Sequence, residues 1–262
     1  MNLGLEGRTA IICASSRGLG RACAIALARE GALVTINSRN ADALEAARAD
    51  IARDAGVDVG RITAAAADLN TEEGRAALVA ACPNADILVT NNEGPPPGEF
   101  TKWDMDDWQA ALEANMLAPA FMIKALIGGM KERQFGRIVN ITSAMVKSPN
   151  YYMGLSTAAR SGLTALCKGL SVDAAPFNVT LNNMLPERFD TDRQERMAQF
   201  AMAAKGITRD EARAEICDTI AAKRMGQPEE FGDACAFLCS AQAGFISGQN
   251  LQLDGGSYAG LI

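Results

Sequence analysis

One stretch constrains this chain more than any other: Thr9-Ala10-Ile11-Ile12-Cys13-Ala14-Ser15-Ser16-Arg17-Gly18-Leu19-Gly20, continuing to Glu30. Its apolar run reads as a buried strand. Two glycines one residue apart then open a segment in which Leu19, Cys23, Ile25, Ala26 and Leu27 recur at helical spacing. A glycine-rich turn entering a helix lets backbone N–H groups approach a phosphate, and the helix dipole adds positive potential there. An ordinary strand-to-helix turn, with glycines for packing, fits the same residues. The pattern therefore gains weight only inside a doubly wound sheet.

The rest of the chain predicts such a sheet. Ala32 to Asn37, Ile62 to Ala67, Asp86 to Thr90, Arg137 to Thr142, Val179 to Leu185 and Asn250 to Leu253 read as further strands. Helical spacing covers Ala41 to Ala55, about Thr71 to Cys82, Trp103 to Arg133, Met153 to Ala175 and Glu229 to Cys239. Strands alternating with helices imply an α/β fold with a parallel sheet covered on both faces. Ligands then bind at the strand C-terminal ends, so Gly18, Arg39, Asp68 and Asn91 are expected to converge on one crevice. Gly94-Pro95-Pro96-Pro97-Gly98 is a stiff, extended loop at a strand tip. Residues 189–223 interrupt the alternation and are expected to form a substrate lid, with Met197, Phe200, Met202 and Ile207 as apolar lining. No linker or repeat is visible, so 1–262 is expected to be one domain.

Composition narrows the chemistry. The chain has no histidine, which removes the commonest general base and metal ligand. No metal site is expected. Seven scattered cysteines read as free thiols in a reducing cytosol. A net charge of −6 argues against nucleic acid as the main partner. No signal peptide is visible, and no stretch approaches the roughly 20 apolar residues that cross a bilayer. A cytoplasmic protein with no membrane partner is expected.

The end of the second strand is where such units read the adenosine ribose. An acid there accepts the ribose hydroxyls, whereas a base accommodates a 2′-phosphate. Here stand Asn37, Ser38 and Arg39, with Arg17 in the glycine turn. Two arginines and no carboxylate favour NADP(H) over NAD(H).

With these residues in place, the sequence resembles the short-chain dehydrogenase/reductase family, in its β-ketoacyl-carrier-protein reductase branch. The resemblance runs from Leu5-Glu6-Gly7-Arg8 to Asp254-Gly255-Gly256. It implies a single Rossmann-type domain and a homotetramer or dimer acting on a small-molecule substrate. It implies cofactor contacts at Gly18, Leu19, Gly20, Arg39, Asp68, Asn91 and Thr191. Ser15, Ser16, Arg17, Ser38, Leu69, Asn92, Gly94, Arg160 and Pro186 complete the candidate cofactor set. Asn115 and Ser143 stand at the family's catalytic Asn and Ser.

Departures from the family pattern are specific. Cys13-Ala14 replaces Thr-Gly, and the turn is expected to close if Ala14 keeps a negative φ. Asn-Asn-Ala-Gly becomes Asn91-Asn92-Glu93-Gly94, and Pro-Gly becomes Pro186-Glu187. The family's catalytic Tyr and Lys are replaced by Ser156 and Arg160. A four-residue spacing keeps both on one helix face. Arg160 can hold a ribose hydroxyl but does not release a proton under ordinary conditions. Ser156 is a far weaker acid than a phenol of pKa about 10. Lys147, in the loop after Ser143, is a candidate proton carrier if desolvation or a nearby cation lowers its pKa. Tyr151, Tyr152 and Glu93 are further candidates. Three functions follow: an NADP(H)-dependent carbonyl/alcohol oxidoreductase with an atypical proton donor; a cofactor-binding protein with little catalysis; or a non-redox lyase or isomerase.

Overall fold

Seven strands form the core of the computed structural model, which describes residues 2–261. They are β1 (Thr9–Ile12), β2 (Leu33–Ser38), β3 (Ile62–Ala66), β4 (Ile87–Thr90), β5 (Gly136–Ile141), β6 (Val179–Pro186) and β7 (Asn250–Leu253). All pair in parallel, in the order β3-β2-β1-β4-β5-β6-β7. The order reverses between β1 and β4, and a crevice opens at such a switch point.

Alternation along the strands assigns the two faces. Ile12, Val89, Val139 and Met184 point into one core with α1 (Gly18–Arg29), α2 (Ala41–Ala55) and α9 (Pro228–Cys239). Ile11, Leu88, Ile138 and Leu181 point into the other, with α3 (Glu72–Ala81), α5 (Ala118–Glu132) and α6 (Gly154–Ala174). Strands buried on both faces need the near-continuous apolar runs seen here.

Two segments differ from the sequence expectation. The long Trp103–Arg133 pattern is α4 (Met105–Leu112), a π-helical turn (Glu113–Leu117) and α5. Such turns place an extra residue in the helix and frequently mark functional positions; this one carries Asn115. Contrary to expectation, the continuous run Met105–Glu132 is long and apolar enough to cross a bilayer by length and composition. In this fold Met122, Ile123, Leu126 and Met130 use that apolarity to pack on the sheet. Residues 189–223 resolve into α7 (Asp192–Lys205) and α8 (Arg209–Asp218). Their base is pinned by a bridge between Phe189 and Gly226.

Candidate active site

The glycine turn closes through buried polar bonds. Ser15 Oγ donates to Ile12 O at 2.7 Å and accepts from Asn37 N at 3.0 Å. Asn37 Oδ1 accepts from Ala14 N at 3.3 Å, while its amide donates to the carbonyls of Ala65 and Ala67. Asn91 Nδ2 donates to Ala14 O at 3.2 Å. Ala14 sits at φ +45°, so the turn closes in the left-handed region, not at negative φ as expected. Gly18 is left-handed as well, at φ +60°. A Cβ on Gly20 would lie 2.5 Å from Ala14 O, so this helix can approach the turn only without a side chain.

A cavity of about 890 Å³ lies at the strand tips. Ser16, Arg17, Gly18, Leu19, Ser38, Arg39, Asp68, Leu69, Asn91, Asn92, Gly94, Pro186 and Thr191 all line it. Ser15 and Gly20 do not: both are buried beneath the turn, where they shape it. Arg17, at the N-terminal boundary of α1, makes no side-chain cap, so the first helical N–H groups remain open toward the cavity.

At one end Arg39 and Arg17 hold exposed guanidinium groups. Glu93 lies 3.5 Å from Arg39, 3.9 Å from Arg17 and 4.0 Å from Arg196 of α7. These are loose contacts among half-exposed groups, worth under about 1 kcal/mol each. Ser38 Oγ is turned to Asn40 O. No carboxylate stands at the end of β2, and the loose contacts to Glu93 are weak enough for an anion to replace them.

At the other end Ser143, Ser156 and Arg160 share the cavity. Arg160 is buried. Its Nη1 donates to Ile141 O at 2.7 Å and Thr142 O at 3.1 Å, and its Nε donates to Ser156 Oγ at 3.2 Å. Burial, then the neighbouring Arg193, lowers its pKa to about 10, which leaves it cationic at neutral pH. Ser156 thus accepts from Arg160 and keeps its own hydrogen to donate. Ser143 Oγ accepts from Met145 N at 3.2 Å. Tyr152 lines the cavity as an exposed side chain, and Tyr151 does not line it.

Asn115 and Lys147 stand apart. Asn115 is buried behind the wall, with Nδ2 donating to Glu93 O and Ala111 O and Oδ1 unpartnered among the described residues. Lys147 does not enter the cavity, contrary to expectation. The short helical turn after Ser143 turns it outward, and its ammonium lies 5.4 Å from the centre of the Tyr258 ring. Of the apolar lid residues named, Met197 and Phe200 line the cavity, whereas Met202 and Ile207 do not.

Sequence reasoning missed Arg193, Arg196 and the setting of Glu187. Arg193, Arg196, Met197 and Phe200 fall on one face of α7, a spacing that could have marked them. Glu187 follows β6 and lines the cavity, and burial raises its pKa more than Arg188 lowers it.

Residues 13–258 match the family described as enoyl-(acyl carrier protein) reductase. The chain belongs to the short-chain dehydrogenase/reductase family. It is 32% identical to the NADPH-dependent reductase BacG of Bacillus subtilis, over 97% of this chain and 98% of that protein. It is 28% identical to the 3-oxoacyl-[acyl-carrier-protein] reductase FabG of Vibrio harveyi, over 98% and 99%. The crystal structure of L-sorbose reductase from Gluconobacter frateurii, complexed with NADPH and L-sorbose, superposes with TM-score 0.94 at 27% identity and 100% coverage of both chains.

The nicotinamide cofactor of such a short-chain dehydrogenase/reductase fits the residues present. The open N-terminus of α1 suits a pyrophosphate. Arg17 and Arg39 suit a 2′-phosphate, and Arg160 brings an Nη2 that makes no hydrogen bond among the described residues.

Proposed function

We propose that this chain is an NADP(H)-dependent oxidoreductase that interconverts a carbonyl and a secondary alcohol, with Ser156 at the position of proton transfer. One observation carries the reading: Arg17 and Arg39, held only by loose contacts to Glu93 and with no carboxylate on β2 itself, share one cavity with Ser143 and Ser156. The family relatives support it.

The reduced nicotinamide supplies the hydride when bound. Arg17 and Arg39 hold the 2′-phosphate, and the glycine turn receives the pyrophosphate. Ser143 and Ser156 orient the reacting oxygen by hydrogen bonding. Arg160 fixes the Ser156 oxygen and adds positive charge beside it, which favours transient loss of the serine proton. Ser156 passes its proton to the nascent alkoxide and regains one from water in the open cavity. Arg160 moves no proton: it stays protonated throughout. Lys147 takes no part, because it lies on Tyr258. Residues 189–223 act as the lid, and α7 closes over the substrate. Exposed Phe121 of α5 and Leu166 of α6 favour self-association as a dimer or tetramer, which light scattering would reveal.

Calorimetric titration tests the cofactor. NADPH is expected to bind at least about tenfold tighter than NADH, the worth of one charge-assisted contact. Arg39→Gln is expected to erase most of that preference. No heat with either cofactor refutes the reading. Tight NADPH binding without NADPH oxidation on any carbonyl would favour a binding protein instead, consistent with the lost phenol and ammonium.

A further inference from the structure

The cavity has a charge that the chain as a whole does not. Seven cationic side chains line it against five acidic ones, in a chain of net charge −6. Arg17 and Arg39 are accounted for by the cofactor. Two others converge on a single point beside Ser156. A Cβ built on Gly94 would lie 3.4 Å from Arg193 Nη1, 3.5 Å from Arg160 Nη2 and 3.8 Å from Ser156 Oγ. Neither arginine has a carboxylate within 4.0 Å, and Arg193 makes no hydrogen bond, among the described residues. Like charges brought this close repel: Arg160 has a lowered pKa, from desolvation first and then from Arg193, and Arg193 has a lowered pKa, from desolvation first and then from Arg196, against which Glu93 acts. An anion placed between them relieves both terms at once.

We infer that the substrate carries a carboxylate, bound between Arg160 Nη2 and Arg193 Nη1, one or two carbons from the carbonyl that Ser156 serves. The substrate class is thus a 2- or 3-oxo acid and its hydroxy acid product. The inference rests on the oxidoreductase reading and deepens it. The spacing sets the distance between the two groups: the point on which the arginines converge lies 3.8 Å from the hydroxyl that meets the reacting oxygen, about the separation of neighbouring functional groups in one small acid. Met153, Met197 and Phe200 line the same cavity and suit an apolar tail on the acid. The reaction takes one hydride from NADPH to the carbonyl carbon and one proton to its oxygen, and the carboxylate is unchanged. A cofactor phosphate would satisfy the same two arginines, so the test must separate the sources.

The probes are 4-methyl-2-oxopentanoate and its methyl ester, in which one added methyl group removes the negative charge. The protein saturated with NADP⁺ is titrated calorimetrically with each, and kcat/KM is measured for each with NADPH. Wild type is expected to favour the acid in both binding and turnover. In Arg193→Gln the acid-to-ester ratio is expected to fall about 10- to 100-fold, as for loss of a charge-assisted contact, with Arg193→Lys retaining part of it. The NADPH Kd of Arg193→Gln is expected to equal that of wild type. Arg193 makes no hydrogen bond or ion pair among the described residues, so its replacement is expected to leave the fold intact, which a melt of the variant checks. Equal binding of acid and ester, or an unchanged ratio in Arg193→Gln, overturns the inference. A rise in the NADPH Kd of that variant assigns the arginine to a cofactor phosphate and also overturns it. Failure of NADPH itself to bind is a different result, and refutes the oxidoreductase reading beneath.

Discussion

Ala14→Gly is expected to stabilise the protein, although it deletes a methyl group from the turn at the heart of the site. Ala14 sits at φ +45° because the turn is held from three sides, by Asn37, Asn91 and the buried Ser15. An L-residue in the left-handed region costs about 1–2 kcal/mol. Glycine removes that cost but gives the unfolded chain more freedom, worth about 0.5–1 kcal/mol. The methyl is only part-buried, so little packing is lost. The balance is a gain of about 0.5–1 kcal/mol, or about 1–4 °C in Tm for a domain of this size. Ala49→Gly is the control: it stands exposed within α2, and is expected to cost about 1 kcal/mol. Thermal and urea melts of both variants beside wild type give the two signs directly. An Ala14→Gly protein as destabilised as Ala49→Gly would refute the claim that the turn is strained.

Three further outcomes follow from the same geometry. Gly20→Ala places a Cβ 2.5 Å from Ala14 O and is expected to cost about 1–3 kcal/mol and weaken NADPH binding, as melts and calorimetry would show. Arg160→Met strips the donors from Ile141 O and Thr142 O; the net loss is expected near 2 kcal/mol, since relief of a buried charge offsets part of it. Glu187→Gln is expected to stabilise more at pH 8 than at pH 4: the folded carboxyl holds its proton more tightly than the unfolded one, so its contribution is present in acid and is lost as pH rises through the raised pKa. Melts of the Glu187→Gln and wild-type proteins across that range would test the sign.

The sequence by itself determined the fold and most of the residues that line the candidate cleft. Strand and helix periods are local, so Ile11-Ile12 and the Leu19–Leu27 spacing announce β1 and α1 without reference to the rest of the chain. Once the elements alternate, the rule that ligands meet parallel strands at their C-terminal ends brings Gly18, Arg39, Asp68 and Asn91 together. The family resemblance also made the lost phenol at Ser156 and the retained cation at Arg160 legible, and helical spacing puts the two on one face. What only the tertiary structure decided concerns direction and distance between segments remote in the chain. Lys147 follows Ser143 closely, yet the turn between them sends its ammonium onto Tyr258 at the other end of the sequence. Ser15 and Gly20 fall in the expected turn, yet serve beneath it. Ala14 is forced to positive φ by partners on β2 and after β4 that no local propensity encodes. Arg193 meets Arg160 only because α7 folds back over the strand tips. Backbone preference is a short-range energy and can be read residue by residue; the field at a point in a cavity sums over side chains from many segments, and exists only once the chain has closed.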